Sequence, residues 1–477
     1  MTLHHNLIDG EWVPGTESPN INPSDTRDVV GVYAQASTAQ VESAIAAARA
    51  ALPAWSRGSI VARAEILDTI GREISARREE LADLLAREEG KTRTEALGEV
   101  TRAAQIFNFF AGEVVRIRGE KLASVRPGVD IEITCEPVGV VSIVTPWNFP
   151  IAIPAWKIAP ALAFGNCVLF KPADLTTASA WTLANIIHRA GVPAGVFNLV
   201  MGRGSSLGPA LTGPGVDAIS FTGSTGVGAS ILQAAVDRRL KVQLEMGGKN
   251  PLVVLNDADI DVAVRCALDG AFFATGQRCT ASSRLVVQDG IHDAFVAALS
   301  AAMAALKVGD ARAPDTVIGP VVDQRQLDTD LSYIDIARSE GANLERGGTR
   351  VEQPTAGFYL APALFTGTTS GMRINQEEVF GPVASVIRVG DYDEALMVAN
   401  DVEFGLCAGI CTTSLKHAAH FRRNAEAGMV MVNLPTAGVD FHVPFGGRKA
   451  SSYGPREQGA YATEFYTTVK TAYCNAG

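Results

Sequence analysis

Long apolar runs are missing from this chain. The longest, such as 138–144 and 252–255, fall far short of the roughly 20 residues a membrane-spanning helix needs. Basic charge is also scarce, with 41 Lys and Arg against 51 Asp and Glu and a formal net charge of −10. That balance argues against nucleic acid and anionic membrane as partners, because both want basic patches. It leaves room for a small anionic substrate, which needs only one local cation. Cysteine comes to seven, at 135, 167, 266, 279, 407, 411 and 474, an odd number with no CxxC pair. Cys407 and Cys411 have no nearby His or second pair to complete a ligand set, so neither a disulfide framework nor a metal site is expected. Residues 1–12 lack a basic segment ahead of an apolar run, and a cytoplasmic chain is expected.

What is present is a globular mixture, 47% apolar and 19% charged over 477 residues, long enough for two or three domains. Helical periodicity dominates 41–51, 60–77 and 79–89. After about residue 132 the texture changes to short apolar runs alternating with helices. Strands are expected at 138–144, 167–170, 196–201 and 218–221, and helices at 153–163, 177–189, 205–211 and 226–236. This alternation predicts an α/β fold with a parallel, doubly wound sheet. A second alternating block is expected to begin at 242–245 and 251–255 and to run to about residue 444, with helices at 260–272 and 292–306. Two β-rich arms, 119–136 and 464–473, stand outside both blocks. A terminal strand with an exposed edge needs a pairing partner, so an oligomer is expected.

Six short segments could carry chemistry. Thr222 is followed by Gly223, Ser224, Thr225, Gly226, Val227 and Gly228 between a strand and a helix, where backbone N–H groups and the helix dipole favour a phosphate. The spacing is GxxGxG, and a competing near-match lies at Gly202, Gly204 and Gly208; either is also compatible with a tight turn. Lys171 and Asp174 in KPAD, at a strand end, suit the hydroxyls of a ribose or a surface ion pair. Cys279, between Arg278 and Thr280, sits where a thiolate could be favoured, although most free cysteines are merely buried. Glu245 ends an apolar strand before a Gly–Gly turn, as a cap or as a base with a raised pKa. Asn148, within Pro146-Trp147-Asn148-Phe149-Pro150, is rigidly held, and its amide could face an oxyanion or cap a turn. Glu377-Glu378-Val379-Phe380 pairs acids with an aromatic before a turn.

Taken in order, PWNFP, KPAD, FTGSTGVG, LEMGGKNP, GQRCT and EEVFGPV closely resemble the aldehyde dehydrogenase superfamily over essentially the whole chain. Asn433-Leu434-Pro435, Pro444-Phe445-Gly446-Gly447 and the closing strand near Lys470 look like that family too. The resemblance implies a Rossmann-like dinucleotide-binding domain at 1–118 and 138–249, an α/β catalytic domain at 250–449, and a small β oligomerisation arm at 119–137 and 450–477. It implies that Cys279 attacks the aldehyde, that Asn148 and the Cys279 N–H hold the oxyanion, and that Glu245 activates the hydrolytic water. Lys157 and Glu457 match positions linked to Glu245 by proton relay. For the cofactor, Gly223, Ser224, Thr225 and Gly228 match the pyrophosphate turn and Lys171 and Asp174 the adenosine ribose. Glu378 matches the nicotinamide ribose contact, and Phe380 the nicotinamide wall, with Trp147 lining the same cleft.

Asp174 departs from the Glu frequent in this family, and the shorter acid leaves more room at the ribose 2′-hydroxyl, so both NAD and NADP are expected. The presence of Glu245 implies a hydrolytic enzyme, because branches that transfer the acyl group to coenzyme A typically lack it. The segment 432–440 and PFGGRKASSYGPREQG look like those of 2-oxoglutarate semialdehyde (2,5-dioxopentanoate) dehydrogenases. Arg278, with Phe149 as a second substrate contact, is expected to take a substrate carboxylate or else to tune Cys279. Other semialdehydes, such as succinic, and general aliphatic aldehydes are the alternative substrates; an inert binding protein of the same fold is a remote one. A homodimer or homotetramer is expected.

Overall fold

The computed structural model describes residues 1–475; 476–477, the end of the expected arm, lie outside the described residues. Its first sheet has eight strands in the order Ser452–Tyr453, Lys241–Glu245, Ala218–Thr222, Val140–Val144, Cys167–Lys171, Phe197–Leu199, Asn6–Ile8 and Glu11–Val13. The five strands from Lys241–Glu245 to Phe197–Leu199 are mutually parallel, and both ends are closed by antiparallel pairing. Chain order runs outward in both directions from Val140–Val144, so the sheet reverses between that strand and Ala218–Thr222. In open α/β sheets ligands bind at the carboxyl ends beside such a reversal. Here those ends lead into Trp147 and Asn148 on one side and Gly223 on the other.

The second sheet has seven strands in the order Asn343–Arg346, Ala363–Thr368, Val383–Val389, Arg284–Gln288, Pro251–Val254, Cys407–Cys411 and Met429–Val432, all parallel except the first. The second block was expected to open at 242–245. Instead Lys241–Glu245 closes the parallel part of the first sheet, and the crossing lies in 246–250. The short link carries the chain from the carboxyl edge of one sheet straight to the amino edge of the other. Segments preceding Arg284–Gln288 and Val383–Val389, which hold Cys279, Glu378 and Phe380, therefore come to the same edge as Asn250.

Thr467–Asn475 pairs antiparallel with Val129–Pro137, which pairs with Glu120–Ala123. Ser452–Tyr453 lies within 450–477, the span assigned to the arm, yet pairs with the first sheet at Glu245. The sequence reading did not anticipate the small sheet of Leu3–His4, Asp25–Gln35 and Thr16–Asn22. Early helices follow their caps: Ser37 with Gln40 and Thr92 with Glu95 form capping boxes that start Thr38–Ser56 and Arg93–Glu113. Ala152–Ala163, apolar almost all round, is buried at every residue, as such a helix must be.

Candidate active site

The nucleophile loop begins where helix Ile260–Ala271 ends. Ala274, Thr275 and Gly276 follow with φ of 51°, 56° and 66°, left-handed backbone that disfavours residues with a Cβ. Neighbours hold this shape: Glu95 Oε1 accepts the Ala274 N–H at 2.6 Å, and Thr275 donates to the Gly319 carbonyl at 3.1 Å. At Gly276 a Cβ would stand 2.2 Å from the Gly381 carbonyl oxygen, so glycine is required for space as well as φ. Cys279 then packs beside Leu406, Cys407, Met429 and Phe445. Asn250 Nδ2 donates to the Cys279 carbonyl at 2.7 Å, and its Oδ1 accepts the Cys407 N–H at 2.9 Å.

The sequence suggested that Arg278 favours a Cys279 thiolate. Burial wins instead: it pushes the thiol up to about 12, the Glu378 and Glu245 charges add to the rise, and Arg278 opposes them only in part. The resting nucleophile is a thiol.

Asn148 reaches this loop directly, its Nδ2 donating to the Gln277 carbonyl at 2.9 Å and keeping a second N–H. Its turn is held from behind by Lys91, buried in the core, whose ammonium donates to the Asn148 carbonyl at 2.7 Å and to Glu99 at 2.5 Å. Glu99 Oε1 accepts the N–H groups of Ile151 and Ala152 at 2.9 and 3.1 Å, capping the helix that follows Phe149. The Lys91 ammonium also lies 3.8 Å from the Phe149 ring centroid. Lys91, Glu95 and Glu99 thus fix both Asn148 and the nucleophile loop. None of these three residues stands out in the segment EEGKTRTEALGE, where charge alone does not mark a residue as buried.

Glu245 is buried at the end of its strand and accepts the Ser452 hydroxyl at 2.6 Å. Burial raises its pKa well above the usual carboxylate range, and the neighbouring Glu457 charge raises it further; Ser452, Lys157 and Arg456 act against the rise. Lys157 is wholly buried, ion-paired with Glu457, and donates to the Ser220 hydroxyl at 2.8 Å. Glu457 Oε2 has no partner among the described residues, leaving an acceptor for a proton or a water.

The residues expected to hold a cofactor stand at or near the carboxyl ends of the first sheet's strands. Ser224 precedes helix Thr225–Arg238, and its side chain makes no capping hydrogen bond there. At Gly228 a Cβ would stand 2.4 Å from Met246 Sδ, so glycine lets the helix close on the strand end. Lys171 is 5% exposed yet forms no hydrogen bond or ion pair among the described residues; burial lowers its pKa, and Asp174, itself exposed, pulls the other way. A Cβ on Gly204 would lie 3.7 Å from Lys171 Nζ, so the competing glycine pattern adjoins the same lysine. Trp147 and Phe380 meet edge to face at 5.5 Å, with Phe380 at φ 66°. Glu378 Oε1 accepts the Gly248 N–H at 2.9 Å, and burial pushes its carboxyl up to about 7. An unpaired buried ammonium, an uncapped helix start and an aromatic wall fit a dinucleotide.

The model of the aldehyde dehydrogenase family matches residues 12–472. The chain belongs to that family. It is 44% identical over 475 residues to an alpha-ketoglutaric semialdehyde dehydrogenase of Bacillus subtilis, covering 98% of this chain and 97% of that one. A 2,5-dioxopentanoate dehydrogenase of Saccharolobus solfataricus is 40% identical over 479 residues, covering 99% of each. The crystal structure of a Staphylococcus aureus betaine aldehyde dehydrogenase in complex with NAD+ has a TM-score of 0.97 at 34% identity, covering 99% of this chain and 95% of that one.

Within this aldehyde dehydrogenase Arg278 does not offer the free fork expected of it. Its Nη2 donates to the main-chain carbonyls of Asp269 and Gly270, the latter at 3.0 Å. Those carbonyls belong to the last turn of Ile260–Ala271, so the guanidinium caps a helix end. Ser452 was also missed; only its strand pairing with Glu245 reveals it. No helix among the described residues is long and apolar enough to cross a membrane.

Proposed function

We propose that this aldehyde dehydrogenase oxidises 2-oxoglutarate semialdehyde (2,5-dioxopentanoate) to 2-oxoglutarate with NAD or NADP. Full-length similarity to relatives that bear that substrate in their names, at 40–44% identity, carries the substrate assignment. The chemistry rests on Glu245, whose charge is felt at Cys279. Cys279 Sγ adds to the aldehyde carbon as its thiol proton passes to solvent water, leaving the negative charge on the former carbonyl oxygen. The Asn148 amide and the Cys279 N–H hold the resulting oxyanion. When bound, the cofactor supplies a hydride acceptor. Gly223, Ser224, Thr225 and Gly228 would hold its pyrophosphate, Lys171 and Asp174 its adenosine ribose, and Glu378, Phe380 and Trp147 its nicotinamide end. Glu245, made a stronger base than an ordinary carboxylate by burial, then takes a proton from the water that hydrolyses the Cys279 thioester, with Glu457 and Lys157 relaying it onward.

In this reading 1–118 and 138–249 bind the cofactor, 250–449 catalyses, and 119–137 with the strand Thr467–Asn475 of 450–477 joins subunits, while Ser452 and Glu457 serve the active site. Leu122, Val469 and Tyr473, all exposed on the three-stranded arm, support pairing with a second copy as a homodimer or homotetramer. A kinetic screen of aldehydes with each cofactor, without coenzyme A, tests the substrate. The highest kcat/KM should belong to 2,5-dioxopentanoate. A higher value for succinic semialdehyde, betaine aldehyde or butanal would overturn the assignment.

A further inference from the structure

Resting on that substrate assignment, we infer that Arg102, with Gln458 and Trp156 beside it, is the anchor for the substrate carboxylate. Arg102 lies on helix Arg93–Glu113, and its Nη2 donates to Gln458 Oε1 at 2.8 Å. Its guanidinium carbon lies 5.5 Å from the Trp156 ring centroid. Trp156 in turn stacks on Phe445 at 5.5 Å, and Phe445 packs in the cluster that holds Cys279. The guanidinium is thereby tied to the nucleophile through two aromatic rings.

Its partners are the decisive observation. Arg102 forms no ion pair among the described residues; the nearest acids it feels are Asp440, which is exposed, and Glu99, which is bonded to Lys91. Arg102 Nε, Trp156 Nε1 and Gln458 Nε2 are all buried donors without an acceptor. Buried donors are normally satisfied, and three on Arg102 and the two residues it touches mark a place where an anionic acceptor is wanted. Burial disfavours the Arg102 charge, while a negative charge at Cys279 favours it, so the two groups lie within electrostatic reach.

A dioxo acid meets both demands, with its aldehyde at Cys279 and its carboxylate several bonds away. The rings of Trp156 and Phe445, stacked between Arg102 and the Cys279 cluster, offer an apolar surface for the intervening carbons. A cation here also disfavours a quaternary ammonium aldehyde. Arg278 also has a buried Nε without an acceptor, but its Nη2 is held by two main-chain carbonyls at a helix end and no second unpaired donor is shown on a residue beside it among the described residues.

The test compares kcat/KM for 2,5-dioxopentanoate with kcat/KM for butanal in the full-length wild type and in Arg102→Met, Arg102→Lys and Arg278→Met. The ratio of the two does not depend on how much of a variant folds. Arg102→Met should lower it by about tenfold to a hundredfold, and Arg102→Lys by less, since the charge remains without the fork. Glutarate should inhibit the wild type competitively and Arg102→Met more weakly by a similar factor. If the wild type shows no preference for the dioxo acid, the substrate assignment fails. If it does, and Arg102→Met keeps the wild-type ratio or only Arg278→Met lowers it, the anchor is elsewhere and this inference is wrong.

Discussion

The Ser452 hydroxyl donates to Glu245 Oε2 at 2.6 Å, from a strand residue paired directly opposite that glutamate. This bond favours the carboxylate, against burial and the Glu457 charge, which favour the acid. Base catalysis needs the carboxylate, so the rate of thioester hydrolysis should rise with pH through a midpoint above the ordinary carboxylate range. Ser452→Ala removes a bond worth about 1.5–3 kcal/mol and should move that midpoint up by about one pH unit or more. Glu245→Gln should give one equivalent of reduced cofactor per site in rapid mixing and then stall. An acidic limb of kcat that stays put in Ser452→Ala would show that another group governs it.

Cys279 should resist reagents that need a thiolate. With its thiol pushed up to about 12, alkylation of the cofactor-free enzyme by iodoacetamide should keep accelerating past pH 9. A plateau between pH 7 and 8 would mean that the thiolate is already formed at rest. Cys279→Ala should abolish turnover, whereas Cys135→Ala, Cys167→Ala or Cys266→Ala should leave it within severalfold.

Sequence alone located the parallel sheet, because the alternation of strand and helix depends on local pattern. Ala218–Thr222 and Thr225–Arg238 bracket FTGSTG within a residue or two of the expected bounds. Arg278 was misplaced for a reason local pattern cannot supply. Standing beside the nucleophile in sequence does not fix which way a long side chain turns, and here it turns back to the helix it follows. Lys91 and Glu99 were invisible because burying this ion pair requires helix Arg93–Glu113 and the link before it to meet the PWNFP turn, a tertiary event. Trp147 and Phe380 are 233 positions apart, and only packing brings their rings together.

Lys91 should matter to both stability and turnover. Lys91→Met leaves Glu99 buried without its cation and frees the Asn148 carbonyl. Breaking a buried pair from one side costs about 3–5 kcal/mol, which thermal unfolding would register as a clear fall in Tm. Because the same contact steadies the oxyanion amide, kcat should drop by more than KM rises. A lower Tm with kcat intact would make Lys91 a support of the fold alone.

Cofactor choice should turn on Asp174. Lys171 is buried without a hydrogen-bond partner among the described residues, while Asp174 is exposed at the start of the short helix Asp174–Thr176. An ammonium in that position can donate to either a ribose hydroxyl or the 2′-phosphate of NADP. The acid decides between them, because a carboxylate close to the 2′ position bonds a hydroxyl and repels a phosphate. Asp is one methylene shorter than Glu, so its charge stands farther from that position and the repulsion is weaker. Asp174→Glu should therefore cost NADP more kcat/KM than NAD, by about tenfold if the difference is worth ~1.4 kcal/mol. The comparison should be made at fixed ionic strength, since an exposed carboxylate is screened by salt. Raising salt should shrink the discrimination of Asp174→Glu toward the wild-type value. An NAD/NADP ratio unchanged by the substitution would mean that Asp174 does not face the ribose, and Lys171 would then bind it without an acidic partner.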